Sequence, residues 1–88
     1  MPFVYILRCA DGSLYTGIAK DADRRLKQHQ AGQGGSYTRA RRPVHMVWQR
    51  QVATWREAMQ VERAIKRLPR AKKLALLRAR DAEGRIHQ

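Results

Sequence analysis

The sequence predicts an α+β fold in which helices flank a small three-stranded antiparallel sheet. Two short segments rich in β-forming residues follow each other across a glycine-containing loop, and a third such segment begins after Pro43. Helix start signals follow the second and the third of these segments. The predicted order is therefore β-β-α-β-α-α, in a single domain over residues 1–80 with a frayed polar tail over residues 81–88.

The first strand, over residues 3–9, is apolar on both faces, which predicts a central strand that is covered on both sides. The second strand covers residues 13–18. Asp21 is a plausible N-cap for a helix over residues 22–31, which ends at Gly32.

A loop over residues 32–43, with one helical turn inside it, leads into a third strand over residues 44–52. Thr54 and Glu57 then form a Thr-x-x-Glu capping box, which marks the start of a helix. That helix runs for about fifteen residues and stops at the last proline of the sequence. A final helix covers roughly residues 70–80.

The register of the first hairpin decides where the two strand tyrosines point. A two-residue turn ending at Gly12 pairs Arg8 with Tyr15 and places Tyr5 and Tyr15 on opposite faces of the sheet. A three-residue loop ending at the same glycine pairs Tyr5 with Gly17 and places both tyrosines on one face. The sequence leaves both registers open.

The overall charge indicates an anionic partner. The 88 residues include 19 lysines and arginines against 7 aspartates and glutamates, for a formal net charge of +12. Nucleic acid is the usual partner of such a chain, and no apolar run is long enough to predict a membrane partner. Cys9 is the only cysteine, which excludes an intrachain disulfide and fits a reducing, cytoplasmic location.

Glu62 is unexpected because it stands in a long basic tract at a position where the predicted helix should be apolar. Glu57 has a local role in the capping box, whereas Glu62 has none. Two explanations stay open: an ion pair with an internal arginine, or a single carboxylate ligand for Mg²⁺. The apolar stripe that suggests the position of Glu62 consists of Trp55, Ala58, Met59, Ile65 and Leu68.

The first helix adds two polar residues on one face, because Arg25 and His29 are four positions apart. Ala22 and Leu26 should point into the core, so Arg25 and His29 are expected at its rim. An arginine at the rim beside paired tyrosines is well placed to hold a phosphate group.

Two basic segments are candidates for contacts with nucleic acid. In the loop over residues 37–43, Arg39, Arg41 and Arg42 could bind phosphates and Tyr37 could stack on a base; a merely solvated basic loop is the alternative. Residues 64–73 form a second basic ridge, whose cations are Lys66, Arg67, Arg70, Lys72 and Lys73.

Together these residues resemble the GIY-YIG endonuclease superfamily, and in particular its small stand-alone bacterial branch. The resemblance rests on the order of Val4-Tyr5-Ile6, Tyr15-Thr16-Gly17, Arg25, His29 and Glu62. It covers nearly the whole chain. The sequence departs from the family name where a phenylalanine and a valine precede the first tyrosine, and where a threonine stands inside the second triplet.

The resemblance implies a metal-dependent endonuclease that hydrolyses phosphodiester bonds in DNA, with Mg²⁺ or Mn²⁺ as the cofactor. In that reading Tyr5 or Tyr15 is the general base, and the open space that Gly17 is expected to leave beside the Tyr5 ring favours Tyr5. Arg25 holds the scissile phosphate, His29 supports proton transfer and Glu62 binds the metal. RNA stays open as a substrate, and a monomer or weak homodimer is expected. The alternative function is a non-catalytic module that binds DNA or RNA.

Overall fold

Three antiparallel strands form the sheet, and the first strand of the chain lies between the second and the third, so that it is central as predicted. The computed structural model describes residues 1–82, with side chains in the last helix described as far as residue 78. The predicted α+β class and element order are confirmed. The elements are β1 Phe3–Arg8, β2 Leu14–Ala19, α1 Ala22–Gln30, the single turn α2 Ser36–Arg39, β3 His45–Gln51, α3 Trp55–Arg67 and α4 Arg70–Ala82.

The hairpin between β1 and β2 has the register of the three-residue loop. Tyr5 pairs with Gly17, and the next pairs bring Leu7 opposite Tyr15. The loop ends at Gly12, whose φ of 85° lies in the left-handed region that glycine adopts without strain. Both tyrosines therefore lie on one face of the sheet, and the two-residue turn is excluded.

The two faces of the sheet carry separate clusters. On the face that we call the α3 face, Val4 and Ile6 of β1 pack with Trp48 and with residues of α3 and α4. On the opposite face, the α1 face, Tyr5 and Leu7 pack with residues of β3 and α1. Because successive strand residues point to opposite faces, the central strand supplies both clusters.

The predicted helix caps are confirmed. The Asp21 carboxylate accepts a hydrogen bond from the backbone N–H of Arg24 at 3.0 Å. The Thr54 hydroxyl accepts one from the backbone N–H of Glu57 at 3.1 Å, and the Glu57 carboxylate accepts one from the N–H of Ala53. These bonds satisfy amide groups that the first turn of a helix leaves unpaired.

At the C-terminal end, one detail differs from the prediction and another is not tested. Helix α4 continues to Ala82, two residues beyond its predicted end. The remainder of the predicted frayed tail, residues 83–88, lies outside the described residues. Within residues 1–82, no helix is long and apolar enough to cross a membrane.

The predicted apolar stripe of α3 is partly wrong. Trp55 is 52% exposed and Met59 is 49% exposed, whereas Ala58 and Ile65 are buried in the α3 face. The narrow sheet covers only one side of α3, and Trp55 and Met59 lie on the side that is not covered by the sheet. Glu62 therefore lies at the boundary of the buried side rather than facing the core, and its side chain is 25% exposed.

Candidate functional site

The ring of Tyr5 lies directly over Gly17 on the α1 face. A Cβ added to Gly17 would meet the Tyr5 hydroxyl oxygen at 2.5 Å, so any larger residue would displace the ring. The space expected to be open beside Tyr5 is thus filled by the tyrosine itself, and Tyr5 is buried. The preference for Tyr5 as the base loses its structural reason.

A hydrogen-bonded chain joins β1, α1 and α2 through His29. The Tyr5 hydroxyl lies 3.0 Å from His29 Nε2, and His29 Nδ1 lies 2.7 Å from the Thr38 hydroxyl. His29 and Thr38 are both buried, so the expected position of His29 at the rim is wrong. The turn α2 covers the imidazole, and the backbone of Gly34 packs against the ring so closely that a Cβ there would overlap it.

Burial controls the protonation states of Tyr5 and His29. Removal from water raises the pKa of Tyr5 to about 12; Tyr15 adds to the rise, the nearby Arg25 guanidinium opposes it, and Glu62 adds slightly. Burial also lowers the pKa of His29, and the positive charge of Arg25 lowers it further. A neutral phenol and a neutral imidazole are therefore the stable forms at neutral pH.

Tyr15 is the more accessible of the two strand tyrosines. It is half-buried, and its ring centroid lies 6.4 Å from that of Tyr5 and 5.4 Å from that of His29. The ring of Tyr37 stacks on Tyr15 at 5.9 Å, and the Arg41 guanidinium lies 3.8 Å from the centroid of Tyr37. Such stacked and cation–π contacts hold the turn α2 against the site.

The side chains of Arg41 and Arg42, two of the three arginines of the predicted substrate loop, already have partners inside the chain. Arg41 forms an ion pair with Asp11 at 3.1 Å, and Arg42 donates hydrogen bonds to the carbonyl oxygens of Arg39 and Gln30. Tyr37, 39% exposed, is contacted by both Tyr15 and Arg41. The contacts of Tyr37 and the loop arginines with nucleic acid stay predictions.

In the second basic ridge, over residues 64–73, one cation also has a partner inside the chain. Arg70 donates a hydrogen bond to the carbonyl oxygen of Gly12 at 2.9 Å, which ties α4 to the hairpin loop. Arg67 and Lys72 are exposed, and Lys73 is half-buried. Nothing in these contacts tests a nucleic-acid interface, so the ridge also stays a prediction.

Glu62 pairs with Lys66 one helical turn away, at 3.2 Å. Lys66 is 56% exposed, so the proposed ion pair with an internal arginine is wrong. Among the described residues, no group of three or more histidine, cysteine, aspartate and glutamate side chains is arranged to hold a metal ion. A metal at this site would therefore rely on Glu62 as a single carboxylate ligand.

Sequence reasoning missed Thr38 and Gly34. A threonine in a basic loop carries no signal for a buried hydrogen bond, because the bond depends on how α2 folds back over α1. Gly34 stands in a glycine-rich segment that the sequence marks only as a loop. The side chain of Gln30 was also missed: it hydrogen-bonds both the N–H and the carbonyl oxygen of Val44, and so fixes α1 to the start of β3.

The fold and this cluster define a small α+β protein with a polar site on one face of its sheet. Tyrosines from two paired strands contribute to it, together with an arginine and a buried histidine from the following helix. Glu62 comes from α3, which packs on the other face, and its charge acts on the Tyr5 hydroxyl. The sequence matches the family model described as the GIY-YIG catalytic domain over residues 1–75. The chain therefore belongs to the GIY-YIG family, whose members are generally endonucleases, and it has a nuclease-type fold.

Similar proteins extend over most of the chain. UPF0213 proteins of several Staphylococcus aureus strains are 53% identical over 78 residues, which is 89% of this chain and 95% of theirs. The solution structure of the UPF0213 protein BH0048 from Bacillus halodurans is 45% identical with a TM-score of 0.60, and the match covers 90% of this chain and 85% of that one. The solution structure of EF2693 from E. faecalis is 36% identical with a TM-score of 0.62, over 98% and 92% of the two chains.

Proposed function

We propose that this protein is an endonuclease that hydrolyses phosphodiester bonds in DNA and depends on Mg²⁺ or Mn²⁺. One observation carries the proposal: the rings of Tyr5, Tyr15 and His29 form one cluster, in which the Tyr5 hydroxyl lies 3.0 Å from His29 Nε2 and the Tyr15 and His29 centroids lie 5.4 Å apart. The positive charge of Arg25 acts on the Tyr5 hydroxyl of this cluster. A plain binding module has no need for Glu62 inside its basic tract.

Arg25 is proposed to hold the scissile phosphate. Its guanidinium is half-buried beside the Tyr5 hydroxyl, and the surrounding protein reduces screening of its charge. A guanidinium can donate two parallel hydrogen bonds to phosphate oxygens, which both orients the group and stabilises added negative charge in the transition state.

Tyr15 is proposed as the general base that takes a proton from the attacking water. Tyr5 is a poor candidate because it is buried and stays protonated, so it could accept a proton only by passing its own to His29. That transfer would create a buried imidazolium next to Arg25, which the lowered pKa of His29 opposes. Tyr5 and His29 are therefore positioning residues that fix the ring of Tyr15.

The carboxylate of Glu62 is the kind of ligand that Mg²⁺ prefers. Mg²⁺ prefers oxygen ligands, keeps several waters, and is commonly held by one or two carboxylates together with substrate phosphate oxygens. The side chain of Glu62 is partly exposed, and its only ionic partner among the described residues is the exposed Lys66. When bound, the metal would stabilise negative charge on the phosphate oxygens.

A nicking assay on supercoiled plasmid tests the proposal. The wild-type protein should nick with Mg²⁺ or Mn²⁺ and stop with EDTA. Tyr15→Phe should lower the rate by about 10²–10⁴-fold, the usual contribution of general base catalysis, while Tyr5→Phe should lower it less. A larger loss of rate in Tyr5→Phe than in Tyr15→Phe would assign the general base to Tyr5 and would leave the proposed nuclease function in place. DNA binding without nicking under either metal would support the non-catalytic module instead.

DNA binding should be mainly electrostatic. If the two basic segments contact about five phosphates, log K should fall with log salt at a slope of about −4 to −5. A triple change of Arg39, Arg41 and Arg42 to glutamine should flatten that slope. An unchanged slope would show that the loop is not part of the binding surface.

A further inference from the structure

A cavity of about 610 Å³ opens beside the proposed site, between the start of β1, the end of β2 and one flank of α1. Its lining includes Phe3, Lys20, Arg24, Arg25 and Gln28. The volume falls in the range of small-molecule sites and exceeds what a single phosphate needs.

The charges around this cavity favour an anion. Among the described residues, neither Lys20 nor Arg24 forms an ion pair, and both are exposed. The one carboxylate in the lining, Asp21, accepts the backbone N–H of Arg24 as the N-cap of α1. The cavity thus presents three cations against one carboxylate that already has a structural role.

The remaining lining is suited to a nucleobase. Phe3 is half-buried and lies on the α1 face of the sheet, because it stands two positions before Tyr5 on β1 and residues two apart on a strand share a face. An aromatic side chain beside cations is the usual combination for holding a base and its phosphate. Gln28 lies one turn after Arg24 on α1 and offers an amide that can hydrogen-bond a base edge.

Arg25 connects the cavity to the proposed site, because it lines the cavity and also lies beside the Tyr5 hydroxyl. We propose that the cavity is a nucleotide subsite that holds the nucleotide next to the scissile phosphate. Lys20 and Arg24 bind that nucleotide's own phosphate, and Phe3 packs against its base. This inference rests on the proposed function, because it places the substrate relative to Arg25.

A binding measurement without metal tests the subsite separately from cutting. Thymidine 5′-monophosphate, inorganic phosphate and thymidine are titrated into the ¹⁵N-labelled protein in EDTA, and amide shifts are followed by NMR. The monophosphate should shift the amides of Phe3, Lys20, Arg24 and Gln28 saturably. It should bind about tenfold more tightly than inorganic phosphate, as expected for one base–aromatic stack.

Two pairs of exposed arginines and lysines allow a matched control. The double variant Lys20→Gln/Arg24→Gln should weaken binding of the monophosphate about tenfold or more. Arg56→Gln/Arg63→Gln removes the same charge from another cavity on α3 and should leave binding nearly unchanged. Equal losses in both variants would overturn the subsite in favour of diffuse attraction to a basic protein.

The Phe3→Leu variant separates the base from the phosphate. It should lower the affinity for the monophosphate to that for inorganic phosphate, and leave the affinity for inorganic phosphate unchanged. Absence of saturable shifts in the wild-type protein would overturn the subsite even if the protein nicks plasmid. Saturable binding in a protein that never nicks would retain the subsite and contradict the proposed nuclease.

Discussion

The two faces of the sheet are built on opposite principles. On the α3 face, Val4 and Ile6 pack against apolar residues of α3 and α4. Among the described residues, Thr16 is the buried polar side chain of this face. The α1 face buries the chain from Tyr5 through His29 to Thr38. The stabilisation from apolar burial does not depend on the direction of the contacts. A buried hydrogen-bonding group, in contrast, lowers the stability of the fold by several kcal/mol unless its partner is in place.

The difference assigns separate tasks to the two faces. Packing on the α3 face stabilises the protein and can tolerate adjustment, because many weak contacts share the free energy. The α1 face fixes the positions of the Tyr5 and His29 rings, because the hydrogen bonds that run from Tyr5 through His29 to Thr38 each require a defined distance and direction. Changes on the α3 face should therefore affect stability first, and changes on the α1 face should affect chemistry as well.

The largest effect on stability is expected from Ile6→Ala on the α3 face. Ile6 is fully buried, and its truncation should lower the free energy of unfolding by about 2–5 kcal/mol because it leaves a cavity. Urea denaturation measures this change. Nicking by the folded variant at low temperature should stay near the wild-type rate.

Leu7→Ala is the matched control, because Leu7 is also fully buried but lies on the α1 face opposite Tyr15. Its stability loss should be similar, and its nicking rate should fall further than that of Ile6→Ala. Equal nicking in the two variants would contradict the division between the faces.

A smaller effect on stability is expected from Gly17→Ala. The new Cβ would collide with the Tyr5 hydroxyl and ring, and overpacking of this kind costs about 1–3 kcal/mol. Nicking should fall with it because Tyr5 must move. The thermal midpoint and the nicking rate are measured together.

Gly12→Asn is the control for Gly17→Ala. Gly12 has a positive φ, which asparagine tolerates, and no atom lies within 4 Å of its added Cβ. This variant should remain close to wild type in both measurements. A loss as large as that of Gly17→Ala would show that the hairpin tolerates no change in either glycine.

The buried imidazole should make stability depend on acidity. Because the pKa of His29 is lowered in the folded state, the unfolded chain binds a proton first as pH falls below about 6.5. The stabilisation is present above that pH and is lost as the pH falls through the folded pKa. Urea denaturation at several pH values between 7.5 and 5 should show a positive slope of stability against pH.

His29→Gln should reduce this slope, whereas His45→Gln should keep it because His45 is exposed. The comparison uses the slope rather than the absolute stability, so a general loss of stability in His29→Gln does not obscure it. A slope that His45→Gln removes and His29→Gln retains would place the titration elsewhere.

The smallest effect on stability is expected from Glu62→Gln. The pair with Lys66 is a partly exposed contact within one helix, so its loss should change stability by less than about 1 kcal/mol. Metal-dependent nicking should nevertheless be lost. Glu57→Gln on the same helix is the control, and it should nick normally because Glu57 only caps α3. A folded Glu62→Gln protein that nicks at the wild-type rate would exclude Glu62 from the mechanism.

Much of the fold could be predicted because it depends on local signals. The caps at Asp21 and Thr54 and the glycine of the hairpin loop act within a few residues of themselves. The central position of β1 follows from its apolar character on both faces. The shared face of Tyr5 and Tyr15 followed from one of the two hairpin registers that the sequence allows, and the pairing of Tyr5 with Gly17 decides between them.

The remainder could not be predicted because it depends on how elements cover one another. His29 is buried by a turn nine residues later, which no helical periodicity reports. Trp55 is exposed because the sheet has only three strands, a property of the whole fold rather than of α3. The filled space over Gly17 likewise depends on the rotamer of a tyrosine from the neighbouring strand.

The order of the elements along the chain also separates the two faces. All three strands, α1 and α2 come from residues 1–52, and both helices of the α3 face come after that point. A break at Ala53 would therefore leave the tyrosines, Arg25 and His29 on one fragment and Glu62 on the other. Neither piece would hold the complete proposed site, and the proposed cutting would require the two fragments to reassociate, so its rate would depend on the concentrations of both fragments.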